Sequence, residues 1–294
     1  MKARVTKVLS DTAPRVEGEP FYALHRFQLA SDVAFSFRCF EQLPLIDAVG
    51  LLSGDDQTGL IVWEGTLRLL QYLYETKYLS SRSRCAALTI LELGCGCGAL
   101  STGAVQVLQC ETGESESHSV FIATDGNDDC VELAHRNLLS IEPKTFGKRL
   151  AVSYWWDSTL PAVVTEHLVG PLAKRHCIVL SGDVIYSPEA IVPLVRSVQR
   201  IADAADHHVT WLLSYIPRSL TKAANDHIFD ELKKELCSLN TVGTNAFFPI
   251  PSSSTDEESN DESRQWWMKN VDILHDTFRD NGFVALLTVC RNAV

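Results

Sequence analysis

Three glycines within five residues mark the part of this chain best suited to hold a ligand. The run Leu91–Gly98 reads LELGCGCG, so that Gly94, Gly96 and Gly98 stand between an apolar stretch and a helix-forming one. Glycine leaves space where the backbone must approach a ligand, and the amides at the start of the next helix would face it. Dinucleotide-binding folds also carry such a turn, so the glycines alone do not identify the ligand.

The charge around this loop narrows the choice of ligand. Glu92 precedes the first glycine, and the spacing is GxGxG rather than GxGxxG. A carboxylate there would repel a pyrophosphate but would attract a ligand that carries an ammonium and a sulfonium group. Cys95 and Cys97 form a CxC pair. Because no second cysteine or histidine cluster is near, we interpret them as small side chains that fill a tight turn, with no metal bound.

A second acidic residue follows at the end of the next apolar run. Asp125 closes the segment VFIATDG. In doubly wound folds an acid at this place accepts hydrogen bonds from the 2′- and 3′-hydroxyls of a ribose, and one carboxylate can accept both. Asp-Gly also favours turns, so the alternative is a turn residue without a ligand. Together with the glycine loop, the position favours the ribose role.

The elements that must hold these residues alternate along the chain. Short apolar runs from Leu88 onward are each followed by a helical pattern, which predicts a parallel, doubly wound α/β sheet. The predicted strands are ALTILELG, VFIATDG, RLAVSYWW, CIVLSGDVIY, VTWLLSYI and GFVALLTVC. One predicted helix begins at Trp63, and four further helices are predicted at residues 99–109, 128–139, 189–204 and 220–239. A further strand between 241 and 275 is expected without a defined position.

Two segments lie outside this alternation. Phe21–Phe40 alternates apolar and polar residues around a break at Ser31-Asp32, which predicts a β-hairpin ahead of the main domain, as a small lobe or edge. Residues 249–263 are polar, acidic and bounded by proline, which predicts a disordered loop. We therefore divide the chain into an N-terminal extension, residues 1–57, and a main domain, residues 58–294.

Composition disfavours some classes of partner. The formal net charge is −11, and general nucleic-acid binding is disfavoured because the phosphate backbone is also negative. No apolar run reaches the ~18 residues that a membrane span needs, and no secretory signal opens the chain. Nine cysteines, an odd number, indicate free thiols in a reducing compartment. We expect a cytoplasmic protein, with the nucleus as a second location, and a monomer.

The order of five motifs resembles that of one family. TGLIVWEG, LELGCGCG, the strand-end Asp125, YWWD and SGDVIY follow one another between Thr58 and Tyr215, as in the seven-stranded protein-lysine methyltransferases that modify chaperones, elongation factors and calmodulin. The stretch GDVIYSPEAIVPLV is similar to the lysine methyltransferases of elongation factor 2. The resemblance implies a Rossmann-like seven-stranded methyltransferase sheet, mostly parallel with an antiparallel C-terminal strand. It also implies S-adenosylmethionine as the cofactor and a protein substrate, such as an elongation factor or a chaperone.

The resemblance also implies roles for single residues. Trp63 is similar to a tryptophan that packs against the cofactor, Trp156 to one that flanks the adenine, and Gly182 to the small residue that ends the fourth strand. Aromatic faces suit an adenine and a sulfonium, and the alternative for both tryptophans is core packing. Trp155 and Trp156, as neighbours on a strand, would face opposite sides, and the motif selects Trp156. The remaining cofactor-binding residues are Glu92, Gly94, Cys95, Gly96, Gly98 and Asp125.

Asp183 and Tyr186 match a DxxY signature that lies beside the transfer site in this family. Methyl transfer is an in-line displacement at a positively charged sulfur and needs an aligned, deprotonated amine. Asp183 would position the amine of a substrate lysine, and Tyr186 would supply an aromatic wall or a hydroxyl acceptor. The alternative for Asp183 is a cap of the helix that begins near Pro188. Competing functions are a methyltransferase for protein histidine or arginine, a small molecule or RNA, a non-catalytic binding domain, and a nucleotide-dependent oxidoreductase.

Overall fold

A computed structural model of the chain gives the fold. It describes residues 6–11, 22–29, 33–40, 58–84, 86–113, 117–169, 176–205, 208–217, 221–242, 246–249 and 282–292. The strands are β1 (Thr6–Asp11), β2 (Tyr22–Gln28), β3 (Ala34–Phe40), β4 (Leu88–Leu93), β5 (Ser117–Asp125), β6 (Phe146–Ser153), β7 (His176–Gly182), β8 (Val209–Tyr215), β9 (Ala246–Pro249) and β10 (Phe283–Val289). The α-helices are α1 (Glu64–Glu75), α2 (Tyr78–Ser83), α3 (Ala99–Thr112), α4 (Asp128–Leu139), α5 (Ala162–Leu168), α6 (Ile191–Ala204) and α7 (Lys222–Ser238).

The main sheet has seven strands in the order β6-β5-β4-β7-β8-β10-β9. Strands β4 to β8 pair in parallel, whereas β10 lies antiparallel between β8 and β9. The Rossmann-like sheet with an antiparallel C-terminal strand is therefore confirmed. The short strand β9 is the one that the sequence pattern could not place.

Helices cover both faces of the central strands, which explains why those strands are apolar along their whole length. Every residue of β4 is buried, although one of them is the acidic Glu92. One face packs against α1 to α4, and the other packs against α5 to α7. A parallel sheet buried on both sides reads as a continuous apolar run rather than as an alternating one, which is the pattern seen from Leu88 onward.

The N-terminal strands form a second, three-stranded antiparallel sheet in the order β1-β2-β3. The predicted hairpin is confirmed as β2 and β3, and β1 is a strand that the sequence pattern did not predict. The inner face carries the stacked rings of Phe27, Phe35 and Phe37, all buried in the same core as α3 and α4. This sheet shares the core of the main sheet instead of standing ahead of it, and the boundary at residue 58 stays a prediction.

Two strands end three or four residues earlier than predicted. The third predicted strand, RLAVSYWW, ends at Ser153, so Tyr154, Trp155 and Trp156 lie beyond it. The fourth, CIVLSGDVIY, ends at Gly182 because Asp183 adopts a left-handed backbone with φ of 61°, which an extended strand cannot continue. The helix expected from residue 189 is a short 3₁₀ turn, Pro188–Ala190, followed by α6.

Two further predictions can be compared with the structure only over the residues that it describes. Of the acidic loop 249–263, only Pro249 is described, and it ends β9; the rest lies outside the described residues. None of the helices in the described part of the chain combines the length and the apolar character needed to cross a bilayer.

Candidate active site

The predicted site residues lie where the parallel strands end. Because β4, β5, β6 and β7 run in one direction, their carboxyl ends meet at one edge of the sheet. The order reverses at β4: β5 and β6 follow it on one side of the sheet, and the chain then crosses to β7 on the other side of β4. Open α/β sheets bind ligands in the crevice at such a switch point.

The glycine loop after β4 adopts backbone conformations that favour glycine. Gly94, Gly96 and Gly98 have φ values of 70°, 52° and 75°, in the left-handed region where other residues are strained. A Cβ on Gly94 would lie 2.9 Å from the ring of Trp156, and one on Gly96 would overlap the carbonyl oxygen of Gly59. The sequence argument gave only the approach of a ligand as the reason for these glycines. The structure adds backbone conformation and close packing against the protein itself.

The two cysteines of the loop are buried, as expected for side chains that fill a turn. The Cys95 amide donates to the Thr124 carbonyl at 2.8 Å, which ties the loop to β5. Burial raises the pKa of the Cys95 thiol well above its ordinary value. A thiol that stays protonated is a poor nucleophile, so Cys95 contributes space and its backbone rather than reactivity.

Asp125 joins the loop to the end of β5. Its Oδ2 accepts a hydrogen bond from the Gly96 amide at 2.8 Å, and its Oδ1 accepts one from the Asn127 amide at 2.9 Å. The turn role that the sequence offered as the alternative is therefore real. It does not exclude a ribose, because each carboxylate oxygen can accept a second hydrogen bond and the side chain is only half-buried.

Glu92 is a buried carboxyl directly behind the loop. Its Oε2 accepts hydrogen bonds from the amide and the hydroxyl of Ser101, at 2.9 and 2.5 Å, in the first turn of α3. Burial, with a smaller contribution from the charge of Asp125, raises the pKa of Glu92 to about 8. A cationic ligand near these two carboxyls would favour their ionised form. This charge pattern fits a sulfonium-bearing, ammonium-bearing cofactor and does not fit a pyrophosphate.

Of the tryptophans considered at this edge, two are partly buried and one is exposed. Trp63 precedes α1, and its indole Nε1 donates to the Thr58 carbonyl at 2.9 Å. Trp156 packs against the core beside Gly94, as the close approach of its ring to that glycine indicates. Trp155 is 71% exposed, with its ring against Gly126. The two neighbours do differ in environment, but they lie in a turn, so strand alternation is not the cause.

Asp157, which the sequence analysis left without a role, anchors this aromatic turn. It accepts hydrogen bonds from Arg196 at 3.1 Å and from Arg200 at 2.9 and 3.1 Å, both on α6. Its amide donates to the Ser197 hydroxyl at 2.8 Å. The spacing of the two arginines, four residues apart on one helical face, was the available signal.

Asp183 occupies the end of β7 and is almost fully buried, at 4% exposure. Its Oδ2 accepts a hydrogen bond from the Gly65 amide at 3.0 Å, in the first turn of α1. Its own amide donates to the Ser214 carbonyl and hydroxyl, at 3.2 and 3.1 Å. Asp183 thus does act as a helix cap, but of α1 rather than of the helix near Pro188.

The start of α1 is held against the strand ends by three further contacts. The Thr66 hydroxyl donates to the Gly182 carbonyl at 3.1 Å, and the Ser214 hydroxyl donates to the Gly65 carbonyl at 2.9 Å. A Cβ on Gly65 would lie 2.5 Å from the Cβ of Asp183. The sequence analysis missed Gly65 and Ser214, because nothing in their local pattern indicates contacts over more than a hundred residues.

The structure brings most of the predicted residues to one edge. The glycine loop, Glu92 and Asp125 form one side, and Gly182 with Asp183 ends the strand on the other side of β4. Tyr186 differs from Asp183 in its surroundings: its side chain is 58% exposed, beyond the buried Val184 and Ile185. Tyr186 therefore lies at the surface of the protein.

Comparison with known proteins matches this arrangement to a family. The lysine methyltransferase family profile matches residues 52–235. The chain is 28% identical over 161 residues to the protein-lysine N-methyltransferase EFM3 of Chaetomium thermophilum, which covers 55% of this chain and 44% of that protein. It is 28% identical over 159 residues to human protein-lysine N-methyltransferase EEF2KMT, and this match covers 51% of this chain and 42% of the human protein.

A third relative has a different acceptor in its name. The chain is 26% identical over 170 residues to the histidine protein methyltransferase 1 homolog of Bos taurus, covering 52% of this chain and 43% of that protein. The matches thus span less than half the length of these relatives. The family match, however, extends over more than half of this chain and includes the glycine loop, Asp125 and Asp183. The chain belongs to the lysine methyltransferase family, which confirms the predicted cofactor, S-adenosylmethionine.

Proposed function

We propose that this protein transfers a methyl group from S-adenosylmethionine to a lysine side chain of another protein. The observation that carries this proposal is the position of Asp183. It is a buried carboxylate at the end of β7, beside the strand that bears the cofactor loop. A carboxylate there is suited to hold an amine in place for transfer. The family and two protein-lysine methyltransferase relatives support this choice of acceptor.

The cofactor would be held by residues from three strand ends. Asp125 would accept hydrogen bonds from the ribose hydroxyls, in addition to those from Gly96 and Asn127. Glu92 would face the cationic part, and Trp156 would line the adenine, with Trp63 packing nearby. When bound, the cofactor supplies an electrophilic methyl group on a positively charged sulfur.

The residues at the other end of the site would prepare the acceptor. Asp183 would accept a hydrogen bond from the neutral lysine amine and orient its lone pair. As the carbon–nitrogen bond would form and the carbon–sulfur bond would break, with neutral S-adenosylhomocysteine as the leaving group, the nitrogen would become positively charged. The charge of Asp183 would favour that state over the neutral amine. Tyr186, exposed at the surface, would contact the substrate chain that delivers the lysine.

Histidine is the second candidate acceptor. The relative that carries it in its name is 26% identical over 170 residues, close to the value for the lysine enzymes. An imidazole nitrogen can be methylated by the same displacement, with Asp183 accepting from the other ring N–H. Acidic residues at the site do not separate the two acceptors. RNA is less suited as a substrate, because the chain carries a net charge of −11.

One experiment tests the acceptor directly. The protein is incubated with a cell lysate and isotope-labelled S-adenosylmethionine, and labelled peptides are mapped by mass spectrometry. The proposal predicts label on lysine in one or a few proteins of the cytoplasm. Label confined to histidine would select the second candidate. Absence of label despite binding of S-adenosylhomocysteine would support a non-catalytic binding domain.

A further inference from the structure

Asn137 lies on α4, outside the predicted site, and its side chain is completely buried. Its amide makes three hydrogen bonds of 2.8 Å: Oδ1 accepts from the Arg38 amide, and Nδ2 donates to the carbonyls of Arg38 and Cys97. By bonding the N–H and the C=O of Arg38, Asn137 acts as a neighbouring strand would at the edge of β3. The same nitrogen reaches the cofactor loop.

Asn137 belongs to a stripe of α4 that faces the loop. Cys130, Ala134 and Asn137 lie at positions i, i+4 and i+7, on one side of the helix. A Cβ on Gly98 would lie 2.7 Å from the Cβ of Ala134, and one on Gly59 would lie 2.5 Å from Sγ of Cys130. This stripe is therefore in close contact with the loop and with the turn before α1.

Cys97 also contacts the N-terminal sheet directly. Its thiol is hydrogen-bonded to the thiol of Cys39, the residue after Arg38 on β3. Its Sγ also contacts the Ile61 carbonyl at 3.9 Å. Within the loop, Cys97 follows Gly96, whose amide binds Asp125. A shift of Cys97 would therefore move the backbone that binds the Asp125 carboxylate, the proposed ligand of the ribose.

We propose that Asn137 is a positioning residue for the cofactor site, and that it couples this site to the N-terminal sheet. Asn137 is not one of the residues predicted to contact the cofactor, although it bonds Cys97 within the cofactor loop. It acts through the Cys97 carbonyl, which it holds at a fixed distance from β3. Coupling of this kind is reciprocal: a sheet that stabilises the loop favours the cofactor, and the bound cofactor stabilises the sheet.

The first test replaces the amide by a carboxylate of the same size. Asn137→Asp keeps an acceptor for the Arg38 amide but loses both donated hydrogen bonds. We expect affinity for S-adenosylhomocysteine, measured by calorimetry below the melting transition, to fall about tenfold, as for one or two lost buried hydrogen bonds. The matched control is Thr89→Val, which removes a buried donor to the His167 carbonyl at the opposite end of β4.

The control separates positioning from general destabilisation. Thr89→Val should lower the melting temperature and leave the affinity within about twofold of the wild type. Wild-type affinity in folded Asn137→Asp would overturn the proposal. A wild-type chain without affinity for S-adenosylhomocysteine would overturn the cofactor assignment and, with it, this inference.

The second test uses the unaltered chain and remains decisive if Asn137→Asp does not fold. Hydrogen exchange is followed with and without saturating S-adenosylhomocysteine. We expect exchange in residues 34–40 to slow at least threefold more than exchange in β10, which lies on the far side of the main sheet. Equal slowing in both segments would mean that the ligand only stabilises the whole fold, and would contradict a specific coupling to the sheet.

Discussion

Two aspartates end the strands on either side of β4, and they differ in how the protein holds them. Asp125, the last residue of β5, is half-buried and accepts hydrogen bonds from the amides of Gly96 and Asn127. Asp183, after β7, is 4% exposed, has a left-handed φ of 61° and accepts from the Gly65 amide. The Asp125 carboxylate is partly exposed, whereas Asp183 is buried, with its carboxylate bound by α1 and its backbone amide bound by β8.

The difference indicates a division of labour within one edge. Residues other than glycine are strained in the left-handed region, although aspartate tolerates it better than most, and such strain concentrates at functional sites. The fold accepts this cost at Asp183 and surrounds it with contacts from Gly65 and Ser214. We infer that Asp125 serves binding, for which a partly exposed carboxylate is suited, and that Asp183 serves transfer, where a fixed geometry is needed.

The largest expected effect separates the two aspartates by turnover. Asp183→Asn should slow single-turnover methyl transfer on the order of a hundredfold, as for loss of one positioned catalytic group, and leave affinity for S-adenosylhomocysteine within about twofold. Asparagine tolerates the left-handed backbone and can accept from the Gly65 amide, so the melting temperature should change little. Rapid-quench assays with the identified substrate measure the rate.

Asp157 offers a matched control for that substitution. It is also an aspartate with a left-handed backbone, at φ of 62°, but it binds two arginines on α6 instead of facing the transfer site. Asp157→Asn should leave the transfer rate within about threefold, because exposed ion pairs contribute little. Normal turnover in Asp183→Asn would reduce Asp183 to the cap of α1.

The second-largest expected effect is on cofactor binding and concerns Asp125. Asp125→Ala should weaken S-adenosylhomocysteine at least about tenfold, since hydrogen bonds to a charged acceptor are worth ~1.5–3 kcal/mol each. Transfer from the bound state should be affected less than binding, in contrast to Asp183→Asn. Calorimetry gives the dissociation constant. An unchanged value would leave Asp125 as a turn residue that only anchors Gly96 and Asn127.

A smaller effect, on pH dependence, concerns Glu92. Its pKa of about 8 in the folded chain lies above the ordinary 4.5, so its protonated form stabilises the fold. That contribution is complete below about pH 4.5 and is lost as the pH rises through about 8. Glu92→Gln should remove this pH-dependent loss of stability and raise the melting temperature at pH 8. It should also lower the affinity for the cationic cofactor severalfold. Melting curves from pH 5 to 9 and calorimetry at pH 8 provide the two readouts.

Glu111 provides the control for Glu92. It lies on α3, and burial raises the pKa of its carboxyl as well. Glu111→Gln should change the pH dependence of melting without changing the cofactor affinity. If Glu92→Gln bound S-adenosylhomocysteine as tightly as the wild type at pH 8, the charge of Glu92 would have no part in binding.

The smallest effect distinguishes the two adjacent tryptophans near Asp125. Trp155→Ala should leave the melting temperature and the affinity nearly unchanged, because the side chain is 71% exposed. Trp156→Ala should lower both, since this ring packs against the core and beside Gly94. Thermal shift with and without S-adenosylhomocysteine compares the pair. If only Trp155→Ala bound S-adenosylhomocysteine more weakly, the adenine contact would be assigned to Trp155 instead of Trp156.

Local patterns were sufficient to predict the sheet and the cofactor loop. Apolar runs and helical spacing placed α4 at Asp128–Leu139 without error, and the glycines of LELGCGCG indicated the turn whose left-handed φ values the structure contains. These features depend on residues within one turn or strand. They are therefore visible in the order of the residues alone.

Features that depend on distant contacts were not predictable in this way. The role of Asp183 as a cap was foreseen for the wrong helix, because its partner Gly65 lies 118 residues away. The end of β6 was placed too late, since the turn after it depends on contacts from Asp157 to α6. Strand β1 was missed, although it pairs with the predicted hairpin.

The link between Arg38 and Asn137 has a consequence for how the chain is made. The two residues are 99 positions apart, and ribosomes add ~5–20 residues per second. The strands β2 and β3 therefore leave the ribosome roughly 5–20 seconds before α4 does, at that rate. Until α3 and α4 have both emerged, the rings of Phe27, Phe35 and Phe37 lack part of the core that buries them. Newly made chains should accordingly need protection by a chaperone during synthesis, more than their folded stability would suggest.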